Sequence, residues 1–260
     1  MTVVPPCDAC TEGVTLSNYG GKLSIRIANR TSMIHPDTEL RYVNDVIGYG
    51  VFATRHIPRG TITWVRDELD QAFSPDQVLR MSDLYKQVLD KYAYLDRHGD
   101  LILCWDNARY MNHSCEATCL SAGYDFEVTV RDVLPGEELT DDYGTLNLET
   151  SFLCACSLAT CRGEIEPEDN VRNADRWDEL LREAFPSIRR VSQPLWAAVN
   201  ERDRSEVLVA CSDVSRMRSC RFHHVYNGKV HTAAIREDGL RIEAGSNGRS
   251  HEGKNRRAVG

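Results

Sequence analysis

Residues 109–115 read RYMNHSC, and this is the most informative part of the chain. Two other short stretches accompany it at a distance: residues 48–53 read GYGVFA, and residues 136–144 read GEELTDDYG. Taken singly, a Gly-x-Gly is usually a bend, Asn-His-Ser-Cys a polar loop, and Asp-Asp-Tyr-Gly a surface turn. The information therefore lies in the order of these three motif stretches along the chain and in the cysteines beyond them.

A cysteine-rich run comes after the third stretch and places Cys154, Cys156 and Cys161 close together. A one-residue gap cannot be closed into a disulfide of ordinary geometry, so Cys154 and Cys156 are predicted to bind a common third party. The chain has 10 cysteines, and in a reducing compartment clustered thiols are more often metal ligands than disulfides. The alternative is three reduced cysteines in a loop.

Together, these stretches resemble the SET-domain protein-lysine methyltransferases, with the family's cysteine segment known as post-SET. The resemblance covers about Leu23 to Glu166. It implies a mixed β fold with helices, in which small sheets surround a threaded segment, and we expect a helical C-terminal lobe beyond it. It also implies methyl transfer from S-adenosylmethionine to a lysine amine.

The family's roles can be carried over residue by residue. The turn formed by Gly48, Tyr49 and Gly50 would let the backbone approach S-adenosylmethionine, because glycine has no Cβ to clash. Asn112 would hold this cofactor through its side chain, and His113 mostly through its backbone, which would make the imidazole partly replaceable. Tyr143 would contact the cofactor where its methyl group meets the lysine amine, and its hydroxyl would orient the reaction.

The resemblance also implies a structural zinc ion. Cys154, Cys156 and Cys161 would supply three thiolates and Cys115 the fourth, which suits Zn²⁺ because four thiolates close the coordination shell. Cys119 competes with Cys115 for this place, and the family pattern alone favours Cys115. Other groups, Cys7 with Cys10 and Cys220 with His223, His224 and His231, are predicted to be bystander thiols and ordinary histidines.

One position departs from the family. Two residues before the tyrosine, relatives often carry an aromatic side chain that limits the number of methyl groups added, and this chain has Asp141. A carboxylate there could retain water or hold the ammonium form of the amine, so the degree of methylation stays open. The alternative is that Asp141 faces solvent with Asp142, Glu137 and Glu138 as a charged rim.

Composition and local patterns divide the chain into segments. We predict a flexible tail over residues 1–20, a SET domain over 21–150 with a helical insert over 74–92, a post-SET zinc segment over 151–166, a helical and hairpin lobe over 167–242, and a disordered tail over 243–260. Within these, we expect a strand at Leu23–Ala28, one helix from Pro75 to Tyr92, a helix stopped by Pro186, a helix at Leu195–Val199 and a hairpin at Val225–Val230.

The composition is that of a globular protein of 260 residues, 42% of them hydrophobic, with a net charge of -8. This charge disfavours direct nucleic-acid binding and suits a basic protein partner presenting a lysine, such as a histone tail. The absence of a signal-like start and of long apolar runs predicts no membrane insertion and an intracellular protein, in the cytoplasm or nucleus. The rival function is a catalytically silent SET module that binds proteins, which Asp141 favours.

Overall fold

Short strands and helices alternate through the part of the chain that the computed structural model describes, residues 14–19, 22–27 and 32–224. The strands are β1 (Val14–Tyr19), β2 (Lys22–Ile27), β3 (Thr38–Asn44), β4 (Gly48–Ala53), β5 (Ile62–Val65), β6 (Gln71–Phe73), β7 (Ala93–Leu95), β8 (Leu101–Leu103), β9 (Asn112–His113), β10 (Cys119–Ser121), β11 (Phe126–Thr129), β12 (Glu138–Asp141), β13 (Phe152–Leu153) and β14 (Glu164–Ile165). The α-helices are α1 (Pro75–Leu79), α2 (Asp83–Tyr92), α3 (Asp169–Arg172), α4 (Ala174–Ile188) and α5 (Glu201–Ala210). The predicted class, small β-sheets with helices, is confirmed.

The described strands form small separate sheets, and one of them joins the three motif stretches. Its order is β3-β4-β12-β9, with β9 parallel to β12 and the other neighbours antiparallel. The parallel pair sets Thr140 opposite Asn112 and Asp141 opposite His113. The other sheets are β1-β2, β10-β11-β5, β6-β8-β7 and β13-β14. Stretches 48–53, 109–115 and 136–144 therefore meet in a single sheet.

The main core lies between the sheet β10-β11-β5 and the C-terminal helices. Helix α4 contributes buried side chains at helical spacing, namely Trp177, Leu181, Ala184, Phe185 and Ile188. Tyr124 stacks on Phe126 and Phe185, with ring centroids 5.4 and 5.9 Å away. The helices after residue 167 thus share one core with the sheet that precedes them.

The prediction of one helix from Pro75 to Tyr92 is wrong, because the structure has α1 and α2 with a break between them. Ser74 caps α1 through a reciprocal capping box with Gln77, as its sequence indicates. Ser82 then takes an extended conformation, with ψ 156°, and begins α2. Serine is favoured at helix N-termini, but the Ser82 side chain makes no capping hydrogen bond, so its extended backbone is what separates the two helices.

Three other boundaries differ from the predictions. The predicted tail over residues 1–20 contains β1, which pairs antiparallel with β2; Gly20-Gly21 between two alternating runs is itself a hairpin signal. Helix α4 continues past Pro186 to Ile188, whose burial (2% exposed) holds the last turn despite the missing N–H. The segment predicted as a helix at Leu195–Val199 is a 3₁₀ turn, Trp196–Ala198.

The predicted hairpin at 225–230 and tail at 243–260 lie outside the described residues, as do Cys7, Cys10 and His231. None of the described helices is long and apolar enough to cross a bilayer.

Candidate active site and metal centre

Tyr143 lies in a 3₁₀ turn directly after β12 and is held at both ends. Its backbone N–H donates to Nδ1 of His113 at 3.1 Å, and its hydroxyl donates to the carbonyl of Met111 at 2.7 Å. Burial, and then the carboxylates of Asp141 and Glu127, raise the pKa of the phenol, so the hydroxyl stays protonated. Tyr143 is therefore a neutral group in a defined orientation.

Asn112 connects stretch 48–53 to stretch 136–144. Its side-chain amide donates to the carbonyl of Tyr49 at 3.0 Å and to Oε1 of Glu138 at 2.6 Å. A Cβ at Gly50 would collide with Oε1 of Glu138 and lie 2.9 Å from Nδ2 of Asn112. Gly50 is thus needed for this polar contact, whereas Gly48 serves the turn itself through its φ of +86°.

The imidazole of His113 has a role that its sequence position does not predict. Since Nδ1 accepts from the Tyr143 N–H, Nε2 carries the hydrogen of the neutral ring and lies 3.5 Å from Sγ of Cys115. Burial lowers the pKa of His113, which favours this neutral form. The ring also packs against Phe152, with centroids 5.8 Å apart. These contacts speak against the expectation that the imidazole is partly replaceable, because it bridges Tyr143 and a cysteine.

Four cysteine side chains gather beside this bridge. The Sγ atoms of Cys115, Cys154, Cys156 and Cys161 all lie within 4.8 Å of one another, an arrangement that could hold a metal ion. Backbone N–H groups donate to three of these sulfurs at 3.3 to 3.4 Å. Such N–H donors stabilise the thiolate form that a metal requires.

The spacing of the sulfurs fits zinc. A tetrahedron with Zn–S bonds of about 2.3 Å has sulfur atoms about 3.8 Å apart, and Sγ of Cys115 lies 3.8 Å from Sγ of Cys154. Four thiolates would satisfy the ion without leaving a catalytic position open. The ion would tie the cysteine-rich segment, residues 151–166, to the end of β9.

The competing ligands lie elsewhere. Cys119 is fully buried beside Oγ1 of Thr118 at 3.5 Å and is not one of the four. Sγ of Cys220 donates to the carbonyl of Ala174 at 3.7 Å, and Nε2 of His223 lies 2.8 Å from the carbonyl of Tyr124. Within residues 32–224, only the four cysteines form a group with metal-binding geometry.

Asp142 connects the tyrosine turn to segments that the sequence did not associate with it. The carboxylate is 2% exposed; one oxygen accepts from the Gly144 N–H and from Arg162, and the other accepts from Nε1 of Trp177 at 3.1 Å. Arg162 comes from the cysteine-rich segment and also lies 3.7 Å from Asp169. No local pattern marks Arg162 or Trp177, because their role depends on contacts 20 and 35 residues away.

Replacing Asp142 with Ala should lower the free energy of unfolding by about 3–5 kcal/mol, because it leaves the Arg162 guanidinium and the Trp177 indole without their buried acceptor. Urea denaturation of the wild type and variant measures this loss. Glu183→Ala serves as control, since its ion pair with Arg59 is exposed on both sides (44% and 60%), and such pairs contribute about 0–1 kcal/mol. Equal losses in the two variants would contradict the structural role given to Asp142.

Asp141 faces inward. Its side chain accepts from the Asp142 N–H at 2.7 Å and is 4% exposed, and burial raises its pKa well above the ordinary value. The alternative of a solvent-facing charged rim is therefore wrong for Asp141 and Asp142, although Glu137 and Glu138 are partly exposed. Asp141 instead lines a cavity of ≈ 460 Å³ together with Tyr143 and Glu127.

This cavity has the size of a ligand site. Its walls come from β5, the segment from α2 to β8, β11 and the residues after Tyr143. Of its lining residues, Asp141, Glu127 and Met111 are buried, and this part of the lining is called the inner end below. Asp90, which also lines the cavity, is exposed. Sequence reasoning missed Glu127, which has no motif around it.

Residues 48–144 match the family model of the SET domain, and this match contains all three motif stretches. The chain contains a SET domain. The SET domain match begins with β4 and ends in the turn that holds Tyr143, so the cysteine-rich segment and helices α3 to α5 lie beyond it. Cys115 is the one member of the cysteine cluster inside the match.

Among solved structures, the chain is similar to the methyltransferase domain of human histone-lysine N-methyltransferase SETMAR. The sequence identity is 16%, the TM-score is 0.35, and the similarity covers 51% of this chain. The chain spans 58% of that domain's length. No curated protein matches the sequence.

Proposed function

We propose that this protein is a protein-lysine N-methyltransferase that takes its methyl group from S-adenosylmethionine. SET domains usually occur in lysine methyltransferases. The observation that carries the proposal is the convergence of three distant stretches: Asn112 donates to the carbonyl of Tyr49, while the hydroxyl and amide of Tyr143 contact Met111 and His113. The phenol of Tyr143 thus lies beside the Asn-His pair, and Asn112 of that pair contacts the Gly-x-Gly turn.

The residues around Asn112 suit a sulfonium compound. When bound, S-adenosylmethionine supplies a methyl carbon that the positive sulfur activates. The carboxylate of Glu138 and the half-exposed ring of Tyr49 both favour a cation. A Cβ atom added at Gly48 would have Nζ of Lys91 as its nearest neighbour, at 3.8 Å. At Gly48, therefore, only the flexible end of the Lys91 side chain would meet a Cβ, and Asn112 contacts the neighbouring Tyr49 carbonyl.

The chain's own task is to align a neutral amine. Methyl transfer needs positioning more than a metal or a nucleophilic side chain. A free lysine has a pKa near ~10.4, so the ammonium must lose a proton before it can react. Desolvation and a nearby sulfonium charge favour this loss, and the carboxylates that line the cavity can accept the proton. The Tyr143 hydroxyl, fixed by Met111, orients the nitrogen at the end of this cavity.

The charges in the cavity indicate the substrate class. Carboxylates outnumber the arginine and lysine side chains along its walls, and they are Asp90, Asp96, Asp125, Glu127, Asp141 and Glu149. A lysine in a basic segment complements such a lining. We propose a histone tail or another protein segment with this character as the substrate.

The test is incubation of the purified chain with isotopically labelled S-adenosylmethionine and a mixed protein extract. We expect labelled protein bands, and mass spectrometry of them should show methyl groups on lysine. Cofactor binding by calorimetry is measured in parallel. Binding of the cofactor without any labelled band would favour the silent binding module instead.

A further inference from the structure

We propose that Glu127 and Asp141 form a carboxylate pair that binds the substrate amine in its ammonium form at the inner end of the cavity, and that this pair limits transfer to one methyl group. The inference rests on the proposed function and names the chemical state of its substrate. It assigns a role to Glu127, which lies on β11 and outside every motif stretch.

The first observation is an unsatisfied acceptor. Glu127 is 8% exposed and lines the cavity, yet its Oε2 has no hydrogen-bond partner within the described residues. Leaving a buried acceptor unpaired is unfavourable, and more so when the group is charged. A cationic N–H donor entering the cavity would remove this cost.

The second observation is that a second buried carboxyl group, Asp141, lines the same cavity as Glu127. Asp141, 4% exposed, lines the same cavity from β12, and the charge of Glu127 acts on its carboxyl. Burial raises the pKa of Glu127 to about 7, and burial with like-charge repulsion raises that of Asp141. The other charge acting on Asp141 is Asp142, whose oxygens are already taken by Arg162 and Trp177. Two buried carboxyl groups of this kind favour a cation between them.

The third observation is where the pair lies. Both carboxylates act on the Tyr143 hydroxyl, which lines the cavity with them. An amine oriented by Tyr143 therefore shares the cavity with both carboxylates. An alkylammonium group has three N–H donors, so it can donate to both carboxylates. Loss of one proton followed by rotation about the Cε–Nζ bond turns the resulting lone pair toward the methyl donor.

The ammonium proton leaves through the carboxylate pair. One N–H bond of the ammonium breaks as an O–H bond forms on a carboxylate of the pair, and the nitrogen keeps the electron pair. That electron pair forms the N–C bond while the S–C bond of the sulfonium donor breaks and leaves its electrons on sulfur. The carboxylic proton then passes to solvent, so each transfer releases one proton.

The same geometry disfavours further rounds. After one transfer the nitrogen is a methylammonium without a lone pair. A second attack requires the loss of another proton and a turn of the new lone pair toward the donor, which places the first methyl group against the carboxylates. Covering a carboxylate with a methyl group removes its solvation without supplying a hydrogen bond. The expected product is monomethyl-lysine.

Binding of small amines tests the pair without any turnover. The probes are n-butylammonium and n-butyltrimethylammonium, titrated into the full chain and followed by NMR chemical shifts. We expect the wild type to bind n-butylammonium at least about tenfold more tightly, since charge-assisted hydrogen bonds contribute about 1.5–3 kcal/mol. Glu127→Gln and Asp141→Asn keep the side-chain shape and should each lose most of this preference.

Glu183→Gln is the matched control, because it removes an exposed carboxylate that does not line the cavity and should keep the preference. Thermal unfolding tests whether each variant is folded. If only one of Glu127→Gln and Asp141→Asn is folded, that variant alone provides the test. Equal affinity of the wild type for the two probes would overturn the inference, and so would an unchanged preference in both folded variants.

The two proposals fail in different ways. Lysine methylation in the extract without any preference between the amines would leave the methyltransferase function standing and overturn the carboxylate pair. A clear preference with no labelled protein would support the pair and count against methyl transfer. Dimethyl- or trimethyl-lysine as the main wild-type product would overturn the limit to one methyl group.

Discussion

Replacing Tyr143 with Phe should lower the turnover number by about a hundredfold or more, because small losses of alignment have effects of this size. The variant removes one oxygen atom, which donates to the Met111 carbonyl and orients the amine under the proposed mechanism. The ring keeps its packing against His113 and Phe152, whose centroids lie 5.5 and 6.0 Å away. Turnover of labelled S-adenosylmethionine on an extract protein measures the effect.

The fold and cofactor binding should be nearly unchanged in this variant. Loss of one hydrogen bond costs about 0.5–1.5 kcal/mol of stability, far less than is needed to unfold the chain. Tyr85→Phe is the control, since Tyr85 lies on α2 with 63% of its surface exposed. Wild-type turnover in the Tyr143 variant would refute the catalytic role of the hydroxyl.

Removal of zinc is the second change with a large expected effect. The wild type should contain about one zinc ion per chain, and Cys154→Ser should contain close to none, because a structural site needs all four thiolates. Structural zinc contributes on the order of 10 kcal/mol in small domains, so its loss should release the cysteine-rich segment. Elemental analysis and proteolysis within residues 151–166 measure the two consequences.

Release of this segment should also lower methyl transfer. Phe152 packs against Tyr143 and His113, and Arg162 binds Asp142, so the segment supports the residues of the proposed active site. Cys211→Ser is the control, because Cys211 caps α5 and is not in the cysteine cluster. Equal zinc content in the two variants would contradict the proposed metal site. Retained activity in a zinc-free protein would show that the cysteine-rich segment keeps its position without the ion.

Part of the site could be predicted from local patterns. Leu139 and Asp141 are two positions apart in β12, so their side chains lie on the same face of the strand, and Leu139 is fully buried. Because side chains alternate along a strand, an apolar residue at position 139 indicates that position 141 also faces inward. The solvent-facing alternative for Asp141 therefore ignored a signal that the sequence contains.

The role of the His113 ring could not be predicted in the same way. It depends on the parallel pairing of β9 with β12 and on the closeness of Cys115 to the ring, both of which arise only when distant segments come together. The same holds for Arg162 and Trp177, which reach Asp142 from two later segments.

Residue type and spacing along the chain were sufficient to predict which three stretches come together in the fold and which cysteines could share a metal. They were not sufficient to identify the carboxylates that the site encloses. Glu127 alternates with Phe126 and Val128, a pattern that predicts a polar residue facing water. In the folded protein, Glu127 lines a cavity together with Tyr94 and Cys104 and is 8% exposed. The environment of Glu127 depends on the three-dimensional fold, because these lining residues come from another part of the chain and turn a surface carboxylate into one that faces a cavity.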